Sequence, residues 1–185
     1  IVKNLSSYSV RLNDATKNGW YMNGAGGEAV HAPDNVPGWL VLVCAYADEI
    51  VFQTAYRYGS DEGLISARRS YHYLFGGWHP WEWINPPTLL GVEYRTVERY
   101  NGKPVYAKAI NFGQAPNATH KEVSHGIENF SQLVSYTGMM GGANLIETPA
   151  LDSIQINASN IRITTNTDVS ASYVYLVLRY TKTTD

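Results

Sequence analysis

The sequence has little charge, one cysteine and no long apolar run. Only 16 % of its 185 residues are Asp, Glu, Lys or Arg, the formal net charge is -2, and Lys and Arg are scattered. Neither a nucleic-acid backbone nor an anionic membrane surface therefore has an electrostatic partner, and nucleic acid is excluded as a ligand. No stretch approaches the roughly 20 apolar residues that span a bilayer, so membrane insertion is not expected.

The single cysteine, Cys44, cannot form an internal disulfide. It lies in the apolar run from 40 to 45, so we expect a buried thiol that behaves as a small hydrophobe. The opening of the chain lacks the charged-then-apolar pattern of a signal peptide. Because it starts on an apolar residue without an initiator Met, we expect a fragment or a processed C-terminal part of a longer protein.

Strand signals dominate the sequence, and helix signals are almost absent. Gly, Asn, Thr and Ser recur too often for an apolar stripe of helical period to persist, so the sequence predicts an all-β fold. In the first half, apolar and aromatic segments separated by short turns predict a meander of about four strands. These segments are residues 38 to 46, 50 to 58, 64 to 73 and 75 to 83.

Asn85, Pro86 and Pro87 mark the predicted domain boundary, because two prolines remove two strand donors and bias the preceding residue to extended geometry. Beyond it, two strand candidates flank Asn101 and Gly102, a dipeptide suited to the positive φ angles of a type I′ turn. The regular spacing of strand candidates predicts an antiparallel sandwich of about seven strands. They are residues 93 to 100, 103 to 113, 121 to 125, 132 to 138, 153 to 157, 161 to 165 and 171 to 181.

The last predicted strand is apolar or aromatic on both faces. One face carries Val174, Leu176 and Leu178, and the other carries Tyr173, Tyr175 and Val177. A strand with one solvent-exposed face would alternate apolar and polar residues instead. Two explanations are open: a central strand within the core of one chain, or a face that a neighbouring subunit covers.

Two stretches resemble known families. Between 19 and 83, a G-W-Y at 19 to 21, an A-P at 32 and 33, G-W-L-V-L-V at 38 to 43, Gln53, Arg68 and the W-x-x-W of Trp78 and Trp81 are similar to the pyocin-knob type of domain. Such domains occur in tail fibres of phages and phage-derived bacteriocins. The stretches N-G-K-P-V-Y-A-K at 101 to 108, I-N-F-G-Q-A-P-N at 110 to 117 and V-S-H-G-I at 123 to 127 resemble the C-terminal β-sandwich of many phage fibres and receptor-binding proteins.

The resemblance implies the tip of a tail fibre on a virion, acting at the bacterial cell surface. It implies a homotrimer that binds a surface receptor, either a glycan or an outer-surface protein, and needs no cofactor. It also implies three segments: residues 1 to 17 as a stub toward the fibre shaft, 18 to 86 as a small β-meander knob, and 87 to 185 as an antiparallel β-sandwich that carries the receptor-binding tip.

Residue patterns for catalysis are not found. No G-x-S-x-G occurs, and Ser124 with His125 lies inside the fibre-like motif. The five His residues are scattered, with no H-E-x-x-H and no cysteine beside them, so no metal site is predicted. We therefore predict that the chain is not an enzyme. His125 itself has two interpretations, a structural side chain, which we favour, or a donor to a neighbouring subunit.

Loops of the predicted sandwich are the first candidate receptor-binding surface. The stretch T-G-M-M-G-G-A-N at 137 to 144 pairs two flexible Met side chains with three Gly, a composition suited to an adaptable contact surface. Loops at one end of a sandwich are the usual place for recognition. The residues singled out are Met139, Met140, Asn144, Asn160 and Asn166.

The second candidate surface is the aromatic segment that contains Trp78 and His79. Sugar rings present apolar C–H faces that stack on aromatic rings, so an exposed Trp beside polar neighbours suits a saccharide. The simpler interpretation is that these rings form the core of a small domain. Alternation places Trp81 and Trp83 on opposite faces, so at least one of them is expected in the core.

Two other functions stay open at this stage. One is a structural domain that trimerises and caps the fibre without touching the receptor. The other is a polysaccharide depolymerase, which we favour less because the sequence lacks the long β-helical repeat from which such enzymes usually build a cleft.

Overall fold

The computed structural model describes residues 2–4, 11–23, 31–47, 49–58, 65–141 and 152–184. The chain divides into two compact units, Ile1–Pro87 and Thr88–Asp185, and the predicted boundary falls one residue before this division. The all-β prediction is confirmed, because the helical segments of the described residues are two 3-10 turns, Leu12–Asp14 and Tyr73–Phe75. No helix among those residues has the length and apolarity to cross a membrane.

The first unit is built on one sheet. Its strands run in the order β1-β2-β3-β4-β5-β7, with β6 paired to β5, and only the β1–β2 pair is parallel. The predicted strands over 38 to 46, 50 to 58 and 64 to 73 are confirmed as β3, β4 and β5. The strands are β1 (Val2–Asn4), β2 (Gly19–Asn23), β3 (Trp39–Tyr46), β4 (Ile50–Arg57), β5 (Ser66–His72), β6 (Gly77–Trp78) and β7 (Glu82–Asn85).

The interpretation of residues 1 to 17 as a separate stub is wrong. β1 pairs with β2, and the side chains of Leu12 and Ala15 are buried in the first unit. The buried amide of Gln53 on β4 donates to the carbonyl oxygens of Leu12 at 2.7 Å and Ala15 at 2.9 Å. This segment is therefore bound to the sheet through backbone polar groups, which a pattern of apolar residues does not reveal.

Alternation along β3 also corrects the expectation for Cys44. Trp39, Val41 and Val43 point into the core and are buried, whereas Cys44 lies on the opposite face and is exposed. Successive side chains of a strand point to opposite faces, so an apolar run does not by itself bury every member. The cross-strand neighbour of Cys44 is Phe52, which is also exposed.

The second unit is a two-sheet structure of seven described strands, as the sequence predicts. One sheet has the order β8-β9-β14-β11 and the other the order β10-β13-β12, and the neighbouring strands in both sheets are antiparallel. The strands are β8 (Glu93–Tyr100), β9 (Lys103–Gln114), β10 (His120–Ser124), β11 (Phe130–Gly141), β12 (Ser153–Ile156), β13 (Asn160–Thr164) and β14 (Tyr173–Lys182).

The β8–β9 hairpin closes on Asn101 and Gly102, with φ angles of 50° and 77°. Two successive positive φ values belong to the type I′ turn, whose twist matches that of the flanking strands. The predicted turn is therefore confirmed, and β8 has the predicted bounds.

The core of the second unit lies against one face of β14. Val174, Leu176 and Leu178 are buried there, together with side chains of β9, β11 and β13. A Cβ on Gly138 of β11 would lie 2.8 Å from Cδ2 of Leu176, so a larger residue would press into this core. β14 is a central strand, between β9 and β11, yet Tyr173 on its other face is half exposed.

Candidate binding site

Arg68 and Arg69 are neighbours on β5 and point to opposite faces of the sheet, as strand geometry requires. Arg68 is on the open face, where its Nε lies 3.9 Å from a carboxylate oxygen of Glu82. Arg69 is on the buried face and only 8 % of it is exposed. One of two adjacent cations is therefore solvated, and the other is inside the first unit.

Hydrogen bonds use only part of the Arg69 guanidinium. Its Nε donates to Oε1 of Gln53 at 2.8 Å, and the amide nitrogen of Gln53 is already used by the carbonyls of the 3-10 turn. Nη2 of Arg69 is buried and has no hydrogen-bond partner among the described residues. The ion pairs of the described residues do not include Arg69.

Two indole rings contact this guanidinium. Its Cζ lies 4.0 Å from the ring centroid of Trp78 and 4.5 Å from that of Trp81. An arginine over an indole face is attracted by the ring quadrupole, which offsets part of the cost of burying the charge. The result is a cluster of one buried cation and two half-buried aromatic rings.

The surrounding strands fix both rings in place. Trp78 on β6 pairs with Tyr71 on β5, and their ring centroids are 5.4 Å apart. Nε1 of Trp81 donates to the carbonyl oxygen of His31 at 2.7 Å. The third tryptophan of the segment, Trp83, points into the core and packs on Trp39, so the prediction that Trp81 and Trp83 take different environments is confirmed.

Burial lowers the pKa of Arg69 to about 9. The guanidinium is therefore still protonated at neutral pH. Removing a cation from water without an anionic partner is costly, and buried charges in proteins are normally paired. The first unit therefore holds a positive charge for which the described residues provide no counter-charge.

His79 follows Trp78 directly in the chain. Its side chain is exposed, and its backbone N–H donates to the carbonyl oxygen of Ser70 at 2.8 Å, which ties the loop after β6 to β5. Of the two residues singled out from the sequence in this segment, Trp78 contacts Arg69, whereas His79 is placed by its backbone bond to Ser70. Arg69 was not predicted from the sequence, although alternation along β5 places one of the two arginines inward.

The sandwich residues singled out from the sequence are not all available at the surface. Met139 is 72 % exposed, but its neighbour Met140 is 5 % exposed and belongs to the core cluster. Met140 is therefore much less accessible to a receptor than predicted, since β11 continues to Gly141 and alternation turns one Met inward. Asn144 lies outside the described residues.

Asn160 and Asn166 do not form one surface. Asn160 begins β13, and its backbone N–H donates to Oδ1 of Asn157 in the turn before it. Asn166 is exposed and follows the other end of the same strand. The two side chains are therefore separated by the length of β13, and the described residues of this candidate surface do not all converge.

The Ser124–His125 pair has a structural arrangement. His125 is buried, its Nε2 lies 3.1 Å from the carbonyl oxygen of Asn157, and its Nδ1 accepts from the N–H of Ile127 at 3.1 Å. Ser124 donates its hydroxyl to the carbonyl of Ser159 rather than to the imidazole. Burial lowers the pKa of His125, the bond to Asn157 opposes this, and the charge of Lys108 adds to the lowering.

Within the described part of the chain, no group of three His, Cys, Asp or Glu residues has the arrangement of a metal site. The Arg69 cluster itself offers stacking on two indoles and donation from a guanidinium. Both are binding interactions, and neither forms or breaks a covalent bond.

No family model and no characterised protein matches this sequence. Among solved structures, the chain is similar to an N-truncated R2-type pyocin tail fibre, with 13 % identity, a TM-score of 0.35, and 95 % of this chain and 96 % of that chain covered. It is also similar to C-terminal parts of the P. aeruginosa R2 and R1 pyocin fibres, each at 13 % identity. Their TM-scores are 0.34 and 0.32, with 95 % and 94 % of this chain and 65 % and 67 % of those chains covered. At this level the likeness carries no functional conclusion.

Proposed function

We propose that this chain is a tail-fibre domain of a phage or a phage-derived particle, that it binds a saccharide on the bacterial cell surface, and that it does not change the saccharide chemically. The observation that carries the proposal is the aromatic cluster of the first unit. Trp78 and Trp81 are half-buried, and the exposed His79 lies next to them.

Partial exposure to solvent distinguishes the rings of Trp78 and Trp81 from ordinary core residues. The core of this unit already contains Trp39 and Trp83, both buried. Trp78 and Trp81 instead keep part of their surface in water, held by the pairing of β6 with β5 and by the bond to His31. Rigid, partly exposed indole rings with polar neighbours are the groups on which sugar C–H faces stack.

The test compares Trp78→Ala with Tyr46→Ala, because Tyr46 is another exposed aromatic residue of the same unit. Purified chain would be screened against a panel of bacterial strains, and binding to a positive strain would then be titrated for each variant. We expect Trp78→Ala to weaken binding about tenfold or more, as loss of an aromatic anchor does. Tyr46→Ala should bind like the parent.

If folded Trp78→Ala binds cells as the parent does, the proposed site is wrong. If host polysaccharide becomes shorter on incubation with the parent chain, the proposal of binding without catalysis is wrong, and a depolymerase is the better description.

We also propose that the chain acts as a homotrimer. The outer face of the β9-β14-β11 region is apolar and open, and it forms a groove of about 420 Å³. Apolar surface of this kind on a soluble chain is typical of an interface. Three weak sites on one axis would bind a surface with high avidity. The groove is lined by Thr88, Leu90, Ala109, Thr137, Gly138, Met139, Tyr175, Leu176 and Val177.

Light scattering at micromolar concentration tests the assembly. We expect three times the chain mass of 20.6 kDa. The variant Met139→Glu, which places a charge on this face, should shift the population toward the monomer. A parent chain that stays monomeric contradicts the trimer but leaves the proposed saccharide site unaffected.

A further inference from the structure

Arg69 has an unused hydrogen-bond donor next to the aromatic rings of the proposed site. We propose that Arg69 binds a carboxylate of the saccharide, so that the receptor is an acidic sugar of the uronic-acid class. This inference rests on the proposed function and adds the charge of the ligand to it.

The charge of Arg69 is the first reason to expect an anionic ligand. The side chain is more than nine-tenths buried, and the described residues place no carboxylate in an ion pair with it. The two indoles and the amide of Gln53 stabilise the cation but are all neutral. A buried cation that the described residues leave uncompensated is a natural partner for an anion that arrives with a ligand.

The geometry of the guanidinium is the reason to expect a carboxylate. Nε is occupied by Gln53, which leaves Nη2 without a partner. A guanidinium presents parallel N–H donors that match the two oxygens of a carboxylate. The sugar ring attached to such a carboxylate would then lie beside Trp78 and Trp81, which are the groups that contact Arg69.

A second buried polar atom belongs to the turn that Gln53 contacts. Oδ1 of Asn13 is buried and has no partner among the described residues. Asn13 belongs to the 3-10 turn whose Leu12 carbonyl accepts from Gln53, and Gln53 accepts from Arg69. A uronic acid has both a carboxylate for the donor and hydroxyl groups for such an acceptor, whereas a neutral hexose lacks the carboxylate.

A carboxylate fits the charge better than a phosphate monoester does. Arg69 supplies one positive charge, and the neighbouring cation, Arg68, lies on the other face of the sheet with Glu82. A phosphate monoester carries between one and two negative charges at neutral pH, so part of its charge would have no partner here. The singly charged uronate is therefore favoured.

The first experiment needs no variant. Tryptophan fluorescence and the indole N–H signals of the parent chain would be followed during titration with glucuronate, galacturonate, glucose, galactose and glucose 6-phosphate. Because Trp78 and Trp81 both contact the guanidinium, a ligand that binds at Arg69 changes the surroundings of the two indoles, and this makes them reporters of binding.

We expect at least about tenfold tighter binding of a uronate than of its neutral hexose, as expected for a hydrogen bond between charged groups. Equal binding of the acid and neutral sugars, including no binding of either, overturns the inference. Stronger binding of glucose 6-phosphate than of glucuronate overturns the choice of a carboxylate.

A pair of variants localises the effect. Arg69→Lys keeps the charge but loses the planar donors, and we expect it to weaken uronate binding about tenfold while neutral sugars bind as before. Arg68→Lys, on the next residue of β5, is the matched control and should bind uronate like the parent. A folded Arg69→Lys that keeps the parental preference for uronates contradicts the inference.

Failure of this inference is distinct from failure of the proposed function. If Trp78→Ala loses cell binding while the parent does not discriminate between uronate and hexose, the saccharide site is retained and only the role of Arg69 is wrong. If Arg69→Lys does not fold, the titrations of the parent chain with acidic and neutral sugars still decide the question.

Discussion

The two units bury polar groups in different ways. In the second unit, His125 has a partner for each ring nitrogen, and the buried hydroxyl of Tyr180 donates to a carboxylate oxygen of Glu93. Among the described residues of the first unit, Arg69 and Asn13 each have a buried polar atom without a partner. Buried polar groups that are fully bonded within the chain stabilise a fold, whereas unpaired ones usually require an explanation outside it. The buried polar groups of the second unit therefore stabilise its fold, whereas those of the first unit suggest that a ligand binds there.

The largest expected effect tests the packing of the second unit. Leu176→Ala removes a buried side chain from the core face of β14, and we expect it to lower the free energy of unfolding by about 2–5 kcal/mol. Val177→Ala, one residue along on the outer face, should cost less than about 1 kcal/mol in the monomer. Urea unfolding followed for each unit measures both. Equal losses would mean that the outer face is as closely packed as the core.

The next effect compares His125 and Arg69, two buried side chains that can carry a positive charge. His125→Phe leaves the N–H of Ile127 and the carbonyl of Asn157 without partners, and we expect it to cost about 2 kcal/mol. Arg69→Met removes a buried charge and one bond to Gln53, two effects of opposite sign, so we expect stability within about 1 kcal/mol of the parent. If Arg69→Met costs more than His125→Phe, Arg69 is a structural residue and the comparison fails.

A smaller effect concerns pH. Burial lowers the pKa of His125 below its usual value of 6.5, so the unfolded chain binds a proton more readily than the folded one. The contribution of His125 is therefore complete above pH 6.5 and is lost as the pH falls toward the lowered folded-state value. We expect the urea concentration at the unfolding midpoint of the second unit to decrease as the pH is lowered from 7.5 to 5.

Replacing His125 should flatten that pH profile. His125→Asn is expected to remove most of the dependence, whereas His79→Gln, at an exposed position of the first unit, should leave it unchanged. A profile that is the same in parent and His125→Asn would show that other groups control the acid sensitivity of this unit.

The smallest expected effect is at the exposed ion pair. Arg68→Ala should change the free energy of unfolding by less than about 1 kcal/mol, because its contact with Glu82 is long and the arginine side chain is exposed. Thermal unfolding at low and high salt checks this. A larger loss would mean that the exposed arginine, rather than the buried one, anchors β5 to β7.

The sequence predicted most strands of both units, because their turns have recognisable chemistry. Asn101 and Gly102 are an example, since few dipeptides adopt two positive φ angles easily. Alternation failed where strand ends were misplaced: ending β11 at 138 hid the fact that Met139 and Met140 face opposite sides. A shift of one residue reverses every side chain of a strand.

The Arg69 cluster could not be predicted from sequence patterns. Its three members come from β5, from β6 and from the residue before β7, and they meet only because β6 and β7 both pair with β5. Alternation shows that one of the two arginines points inward, but it does not show which face is covered. The lack of a partner for Nη2 is a property of the folded chain alone.

The most direct test of the account is to map binding of surface polysaccharide, purified from a strain that the chain binds, onto isotope-labelled protein. We expect the strongest shifts at the indole N–H signals of Trp78 and Trp81 and at the Nε–H of Arg69. Shifts confined to the methyl group of Met139 and the side-chain amide of Asn166, with the indole signals unchanged, would place recognition in the second unit and contradict the account.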